Sequence, residues 1–570
     1  MAYTPRMFSR RDFLKATGQT CVALGCAPLM TDLLTPAFAA PSGKDALRCI
    51  NVINFIREIE PRFKMDMMLP VQKQMELLLE HKLPATWLLQ FDALVSGPFV
   101  EFLKTHMAPN HEVGFWFEMN EKHCKTAEVE WRGRPGYEWD HIPHVAFTIG
   151  YTEAERIKLA DTAMREFKRV WGRYPSSVAS WNLDSFTMAH LTEHYGIDAY
   201  AVCRDQIATD GFTIWGAPIA GYYPSKANCW SPALSKSNQI STPVFRMLGQ
   251  DPVYYYQKEW TIPGGRRLGE PDTMEPVWTS GRSPHFIDGF LNMIAEAPTL
   301  RFAYAQLGQE NTFPWDQQKD GYPIQMKALA ELRDKGEVHV ETMGDSGRRF
   351  KRAFTTTPAQ AQVQLEDPFG NTDPAQKSVW YQSRFYRANL HIKGDLPFLR
   401  DLTTYSDTNP QPFLKQATRL HDVEQRMPAI LDGYHWSKNP GSRTEEGAGG
   451  YLTVAGTRLR LSGTPKITES GSTLTVEIPV GGEKVLCLRF EEKELSCWLT
   501  PKSPELLTLS FEWDSTKAPP IEVTPQQVAY KAPNFAYKVS IEDATATSTP
   551  NGWTATAKKR ELTLNLAQPK

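Results

Sequence analysis

The chain of 570 residues has no excess of either charge, since 63 lysines and arginines stand against 65 aspartates and glutamates for a net of −2. No global field draws it onto nucleic acid or anionic lipid, so a nucleic-acid partner is excluded as its main role. The apolar run from Ala16 to Leu34 is too short and too polar to span a bilayer. Among 8 cysteines there is no CxxC and no metal-ligand spacing, which excludes a zinc ribbon. Internal repeats, low-complexity tracts and long like-charge runs are missing as well. What is present is a 41% apolar, 22% charged composition with 16 Trp, 20 Tyr and 28 Phe, the signature of an aromatic-rich globular protein too long for one ordinary core.

The first 39 residues read as an address. Ser9-Arg10-Arg11-Asp12-Phe13-Leu14-Lys15 precedes the apolar run, and Ala37-Phe38-Ala39 is a small-residue cleavage pattern. The segment resembles a twin-arginine export signal, which implies a periplasmic or secreted mature chain. Cys26 fits a lipoprotein anchor badly. Cys49, Cys124, Cys203, Cys229, Cys487 and Cys497 then remain. Cys487 and Cys497 are placed either to face each other across a hairpin or to stay as free buried thiols.

Residues 40–355 alternate short β-branched or aromatic runs with helical patterns, the signature of a parallel α/β fold. Strands are expected at 51–56, 85–91, 111–117, 176–183, 199–204, 243–248, 302–307 and 338–342. One helix is fully spelled out: Thr152 as N-cap, Glu155 at the capping-box position, Ala160, Met164, Phe167 and Trp171 at helical spacing, and Gly172 as the stop. Seven or eight such strands suggest a closed or nearly closed (β/α)7-type barrel, whose chemistry sits at the carboxyl ends of the strands. Those ends carry Arg57, Glu58, Asp92, Glu118, Asp184, Asp205, Gln206, Asp251, Gln309 and Glu310. Acids predominate. Taken singly each is as well explained by a solvated loop or a salt bridge, but a rim of carboxylates without a set of histidines is what glycosidic cleavage requires.

Two sets of residues carry resemblances. Ser180-Trp181-Asn182-Leu183-Asp184, followed by a helix and Gly196-Ile197, resembles the nucleophile strand of glycoside hydrolase family 57, and Gln309-Glu310-Asn311 with Trp315 resembles that family's general-acid segment. This implies Asp184 as nucleophile, one methylene shorter than the usual Glu, and Glu310 as acid, its pKa raised by Phe313 and Trp315. Glu118, Asp251 and Asp210 are the reserve acids. Ala85-Thr86-Trp87 and His111-Glu112-Val113-Gly114 resemble the polysaccharide deacetylases of the same superfamily. Their metal-binding acidic pair and second histidine are replaced here by Arg57-Glu58 and by Phe115-Trp116-Phe117-Glu118. The expectation is therefore a glycoside hydrolase without a catalytic metal or other cofactor. The alternatives are a metal-dependent deacetylase-like esterase or amidase and a non-catalytic carbohydrate-binding protein. A carboxylate gap near 5 Å would predict retention, and one of about 6.5 Å or more inversion.

Aromatic residues support a carbohydrate partner. Trp215, Tyr222, Tyr223, Trp230, Tyr254, Tyr255, Tyr256 and Trp260 lie in segments without clear periodicity, as do Trp131, Trp139, Asp140 and His141. Core packing accounts for part of them, and the rest can face a sugar ring while Arg204, Asp205, Gln206 and Asp210 bond its hydroxyls. Glu58, Glu118, Trp139, Asp140, His141, Trp181, Trp215, Asp251 and Gln309 complete the expected substrate contacts. Residues 356–449 read as a linking region with strands and helix, with 441–450 as its mobile loop. Short alternating runs over 450–570 read as a β-sandwich. Oligomeric state is not legible.

Overall fold

The computed structural model describes residues 46–568 except 63, 250, 257–271, 373–374, 443–446, 502–504 and 533–534. The export signal and Trp260 lie outside the described residues, as does the middle of the loop at 441–450.

Strands β1 (Leu47–Ile56), β2 (Ala85–Leu89), β3 (His111–Trp116), β4 (Ser177–Ala179) and β5 (Ala199–Val202) are followed by the hairpin β6 (Gln206–Thr209) and β7 (Phe212–Trp215). Then come β8 (Gly221–Tyr222), β9 (Val244–Arg246), β10 (Phe302–Leu307) and β11 (His339–Val340). Seven of them lie parallel in the order β10-β1-β2-β3-β4-β5-β9, with β8 antiparallel on β9 and β11 beside β1. The sheet curls into a nearly closed barrel with helices outside, so the expected fold class stands. β1 shows why. All ten of its residues are buried. Leu47, Cys49, Ile53 and Phe55 join an interior cluster with Leu88, Trp116, Ala201, Phe245 and Tyr304, while Ile50, Val52 and Ile56 belong to the layer shared with the helices. A period of two with apolar residues on both faces is what a strand packed on both sides requires.

The helix Glu153–Trp171 has both capping-box bonds at Thr152 and Glu155 and ends on Gly172 at φ +73°. A cap of this kind contributes about 1 kcal/mol. β4 is only three residues long, because the chain leaves the sheet at Ser180 to reach the next helix.

The C-terminal part is two antiparallel sheets, ten-stranded and eight-stranded, that share one apolar core. Strands from Gln360–Gln364 to Ala429–Asp432 enter the ten-stranded sheet alongside Gly449–Val454 and Leu507–Glu512, so much of 356–449 belongs to the sandwich rather than linking to it. No helix occurs among the described residues of that stretch. Val423–Arg426 instead pairs with β7 in a three-stranded sheet with β6. Cys487 sits opposite Trp498 and Cys497 opposite Leu488, which puts the two thiols on opposite faces, and all six cysteines are free and buried. No helix among the described residues is long and apolar enough to cross a membrane.

Candidate active site

Because the strands are parallel, the residues that follow them converge on one rim. Arg57 follows β1, Glu118 follows β3, Trp181 follows β4, Arg204 follows β5, Leu248 follows β9 and Glu310 follows β10. Together they line a cavity of about 220 Å³ with Arg62, Trp139, His141, Phe147, Gln206, Thr209, Asp210, Glu275, Trp278 and Phe313. A larger groove of about 1310 Å³ runs along residues 409–418 and 424–429, but it gathers none of the barrel's strand-end acids.

At one wall of the cavity a single guanidinium joins two carboxylates. Arg57 donates from Nη1 to Glu310 Oε2 at 2.6 Å and from Nη2 to Glu118 Oε2 at 2.8 Å, with only 2% of its side chain exposed. Its backbone is locked as well, N–H donating to Asn311 Oδ1 at 2.9 Å and C=O accepting from Asn311 Nδ2 at 2.8 Å. Trp139 stacks on the guanidinium at 4.3 Å and donates its indole N–H to Glu118 at 3.2 Å. Burial opposes the Arg57 charge, but Glu118 and Glu310 outweigh it and raise its pKa. Glu310 goes the other way. Burial pushes it up to about 7, against the pull of Arg57 and a hydrogen bond from Thr312. Glu275 is also pushed up by burial, with Arg204 opposing.

The turn that delivers Glu310 depends on Gly308. Its φ is +110°, and a Cβ there would stand 2.2 Å from the Ile53 carbonyl oxygen. Only glycine combines that conformation with so close an approach of β10 to β1.

The cavity brings together eight of the residues expected from sequence: Glu118, Trp139, His141, Trp181, Arg204, Gln206, Asp210 and Glu310. The others lie elsewhere. Asp184 is fully buried as the N-cap of the helix Ser185–Tyr195, accepting from Thr187 N–H at 3.0 Å and Thr187 Oγ1 at 2.7 Å, with Arg156 Nη1 at 3.2 Å. Glu58 accepts from Ser96 Oγ at 2.8 Å. Asp140 is held by Arg134 at 2.7 Å. Asp205 is bound by Arg246 and Arg387, and Trp215 packs among Tyr255, Tyr256 and Tyr434. Asp251 accepts from the N–H groups of Val253 and Tyr254, and burial beside Asp272 pushes its pKa up. Gln309 donates its backbone N–H to Asn54 and turns its side chain to Glu275. Trp315 packs against Tyr322 rather than lining the cavity, so only Phe313 of the two expected aromatic neighbours faces Glu310's surroundings.

Sequence reasoning named Arg57 as a strand-end residue without assigning it a role, and it missed Arg62, Glu275 and Trp278. Glu275 and Trp278 follow no predicted strand, so only the fold brings them in. His111 and Glu112 open β3 at the far end of the barrel, where His111 binds the Leu83 carbonyl and Glu112 accepts from Ser177.

No protein-family model matches the chain, and no curated protein does. Among solved structures, one described as a glycoside hydrolase/deacetylase from Parabacteroides distasonis is 15% identical with a TM-score of 0.48, covering 69% of this chain and 92% of that one. A polysaccharide deacetylase from Mycobacterium smegmatis, so described, is 15% identical at TM-score 0.35, with 57% and 97% covered. Another from Pseudomonas aeruginosa PAO1 is 14% identical at TM-score 0.32, with 54% and 92% covered. Likeness at this level assigns no activity.

The geometry nonetheless sets aside the expected O-glycosidase, because Asp184 is spent on a helix cap and a buried arginine and does not line the cavity of Glu310.

Proposed function

We propose that the barrel is a carbohydrate deacylase, cleaving an ester or amide bond between an acyl group and a sugar, with Glu310 handling the proton. Glu310 itself carries the reading. Burial holds its carboxyl near pKa 7 inside an aromatic-walled cavity at the strand ends, so both its acid and base forms are populated at neutral pH. Trp181, Trp278 and Phe313 offer flat faces to the C–H side of a sugar ring.

In this reading ionised Glu310 takes a proton from water as the water oxygen bonds to the acyl carbon, and the carbonyl electron pair moves onto oxygen. Arg204 is a cation of the same cavity, and it supports that oxyanion. Collapse breaks the C–O or C–N bond, and Glu310 returns its proton to the departing sugar oxygen or nitrogen. The products are a carboxylic acid and a free hydroxyl or amine.

The deacetylase resemblance implies a divalent metal, and the donors present do not fit one. No group of three or more His, Cys, Asp or Glu side chains suited to a metal gathers among the described residues. Glu118 and Glu310 already share the Arg57 guanidinium, and His111 lies at the opposite end of β3.

Acetate release from a panel of O- and N-acetylated glycans tests the reading. Glu310→Gln is expected to lower the rate by about 10²–10⁴-fold. Release that survives the substitution removes Glu310 from the chemistry. Glycan binding without release from any acylated substrate would favour the carbohydrate-binding alternative.

A further inference from the structure

We propose that Arg57 is the cavity's resident cation, doing for Glu118 and Glu310 what a bound divalent ion does in a metal-dependent hydrolytic site. The inference rests on these side chains alone and holds whichever bond is cleaved. Two carboxylates from the ends of β3 and β10 point at one positive group from the end of β1, and that group is covalently part of the chain.

Three features distinguish it from an ordinary surface ion pair. The guanidinium gives one hydrogen bond to each acid instead of pairing bidentately with either, so it bridges them as a small cation would. Its Nε has no partner among the described residues, so the two carboxylates take the side-chain hydrogen bonds that the guanidinium makes there. Its backbone is clamped by Asn311 on one side and its plane by Trp139 on the other, so the charge cannot swing away.

Carboxylates are ligands for hard divalent ions, and the guanidinium already holds one oxygen atom of each. Removing it must therefore open a site that the native protein does not have. The test is Mn²⁺ binding by equilibrium dialysis at pH 7.5 to the full mature chain, its Arg57→Lys form, and Arg57→Ala and Arg57→His forms. Wild type and Arg57→Lys should bind no Mn²⁺ at this site. Arg57→His should bind one ion per chain, and adding Glu118→Gln should abolish that binding. Thermal melts provide the second reading, with Mn²⁺ raising the midpoint of Arg57→Ala and leaving Arg57→Lys unmoved. Wild-type binding that Glu118→Gln removes overturns the proposal, and so does a folded Arg57→His form that binds nothing. Arg57→Ala and Arg57→His forms that stay unfolded at every Mn²⁺ concentration, while Arg57→Lys folds, also overturn it, because an ion then cannot stand in for the guanidinium.

Discussion

Arg387, on a strand of the ten-stranded sheet, donates from Nη1 to Asp205 at 2.8 Å, and Asp205 is the chain neighbour of the cavity's Arg204. The same guanidinium reaches Asp401 at 2.8 Å, and Asp205 also accepts from Arg246 at 2.7 Å. Burial alone would raise the Asp205 pKa, but Arg387 and Arg246 hold it below the ordinary carboxylate range. Stripping one partner from such a buried set leaves charges without compensation, which costs about 3–5 kcal/mol. Arg387→Met should lower the unfolding free energy by that amount in a urea titration. A change under about 0.5 kcal/mol, the usual size for a surface site, would show that the sandwich does not brace this end of the barrel.

The pH dependence follows from Glu310. Its pKa lies at about 7 in the folded chain against an ordinary 4.5, so the folded state favours the protonated form. That contribution to stability is complete below about pH 4.5 and is lost as pH rises through about 7. Its ceiling is about 3 kcal/mol. The proposed acyl hydrolysis needs the ionised form, so kcat/KM should rise over the same interval in which this part of the stability falls. Glu310→Gln should flatten both profiles. A stability curve that keeps its slope in the variant would assign the titration to another group, with Glu275 and Asp251 first in line.

Much of the barrel could be read from the sequence because both of its signals are local. The apolar period of two on β1 and the Thr152–Glu155 box need no long-range information. The rim was legible for the same reason, since residues after parallel strands must converge, and Glu118, Arg204 and Glu310 do. Which of them would pair was not legible. Arg57 lies 61 positions from Glu118 and 253 from Glu310, and no short motif encodes that triad. Strands of the ten-stranded sheet come from both sides of residue 449, so sequence proximity misled where the sheet reorders its strands.

Asp184 shows how a motif can place a residue on the correct loop and misread its role. Trp181 faces the cavity, but three residues later the chain has begun a helix, and the carboxylate turns back to cap it and to meet Arg156. Asp184→Asn keeps an oxygen for the Thr187 N–H, replaces the oxygen that accepts from Thr187 Oγ1 with an NH2 group, and removes the charge opposite Arg156. A loss of about 1–3 kcal/mol in denaturant stability is expected, with acetate release within about twofold of wild type under conditions where both are folded. A drop comparable to that of Glu310→Gln would instead return Asp184 to the chemistry.

Gly308 provides the sharpest link between backbone and reaction. Val52 and Leu307 are register partners on β1 and β10, and Gly308 then turns at φ +110° so that Glu310 reaches Arg57 two residues on. An added methyl would meet the Ile53 carbonyl oxygen at 2.2 Å and its carbon at 2.7 Å, and both are backbone atoms of a central strand that cannot give way cheaply. Gly308→Ala should therefore cost stability, by more than the roughly 1 kcal/mol of an ordinary glycine replacement, and slow acetate release by displacing Glu310. Stability loss alone does not separate the two effects, whereas a double variant does. If Gly308 acts through Glu310, then Gly308→Ala combined with Glu310→Gln should be no slower than Glu310→Gln alone, measured at a temperature where each form is folded. Rate losses that multiply would mean that the turn serves some other group of the cavity.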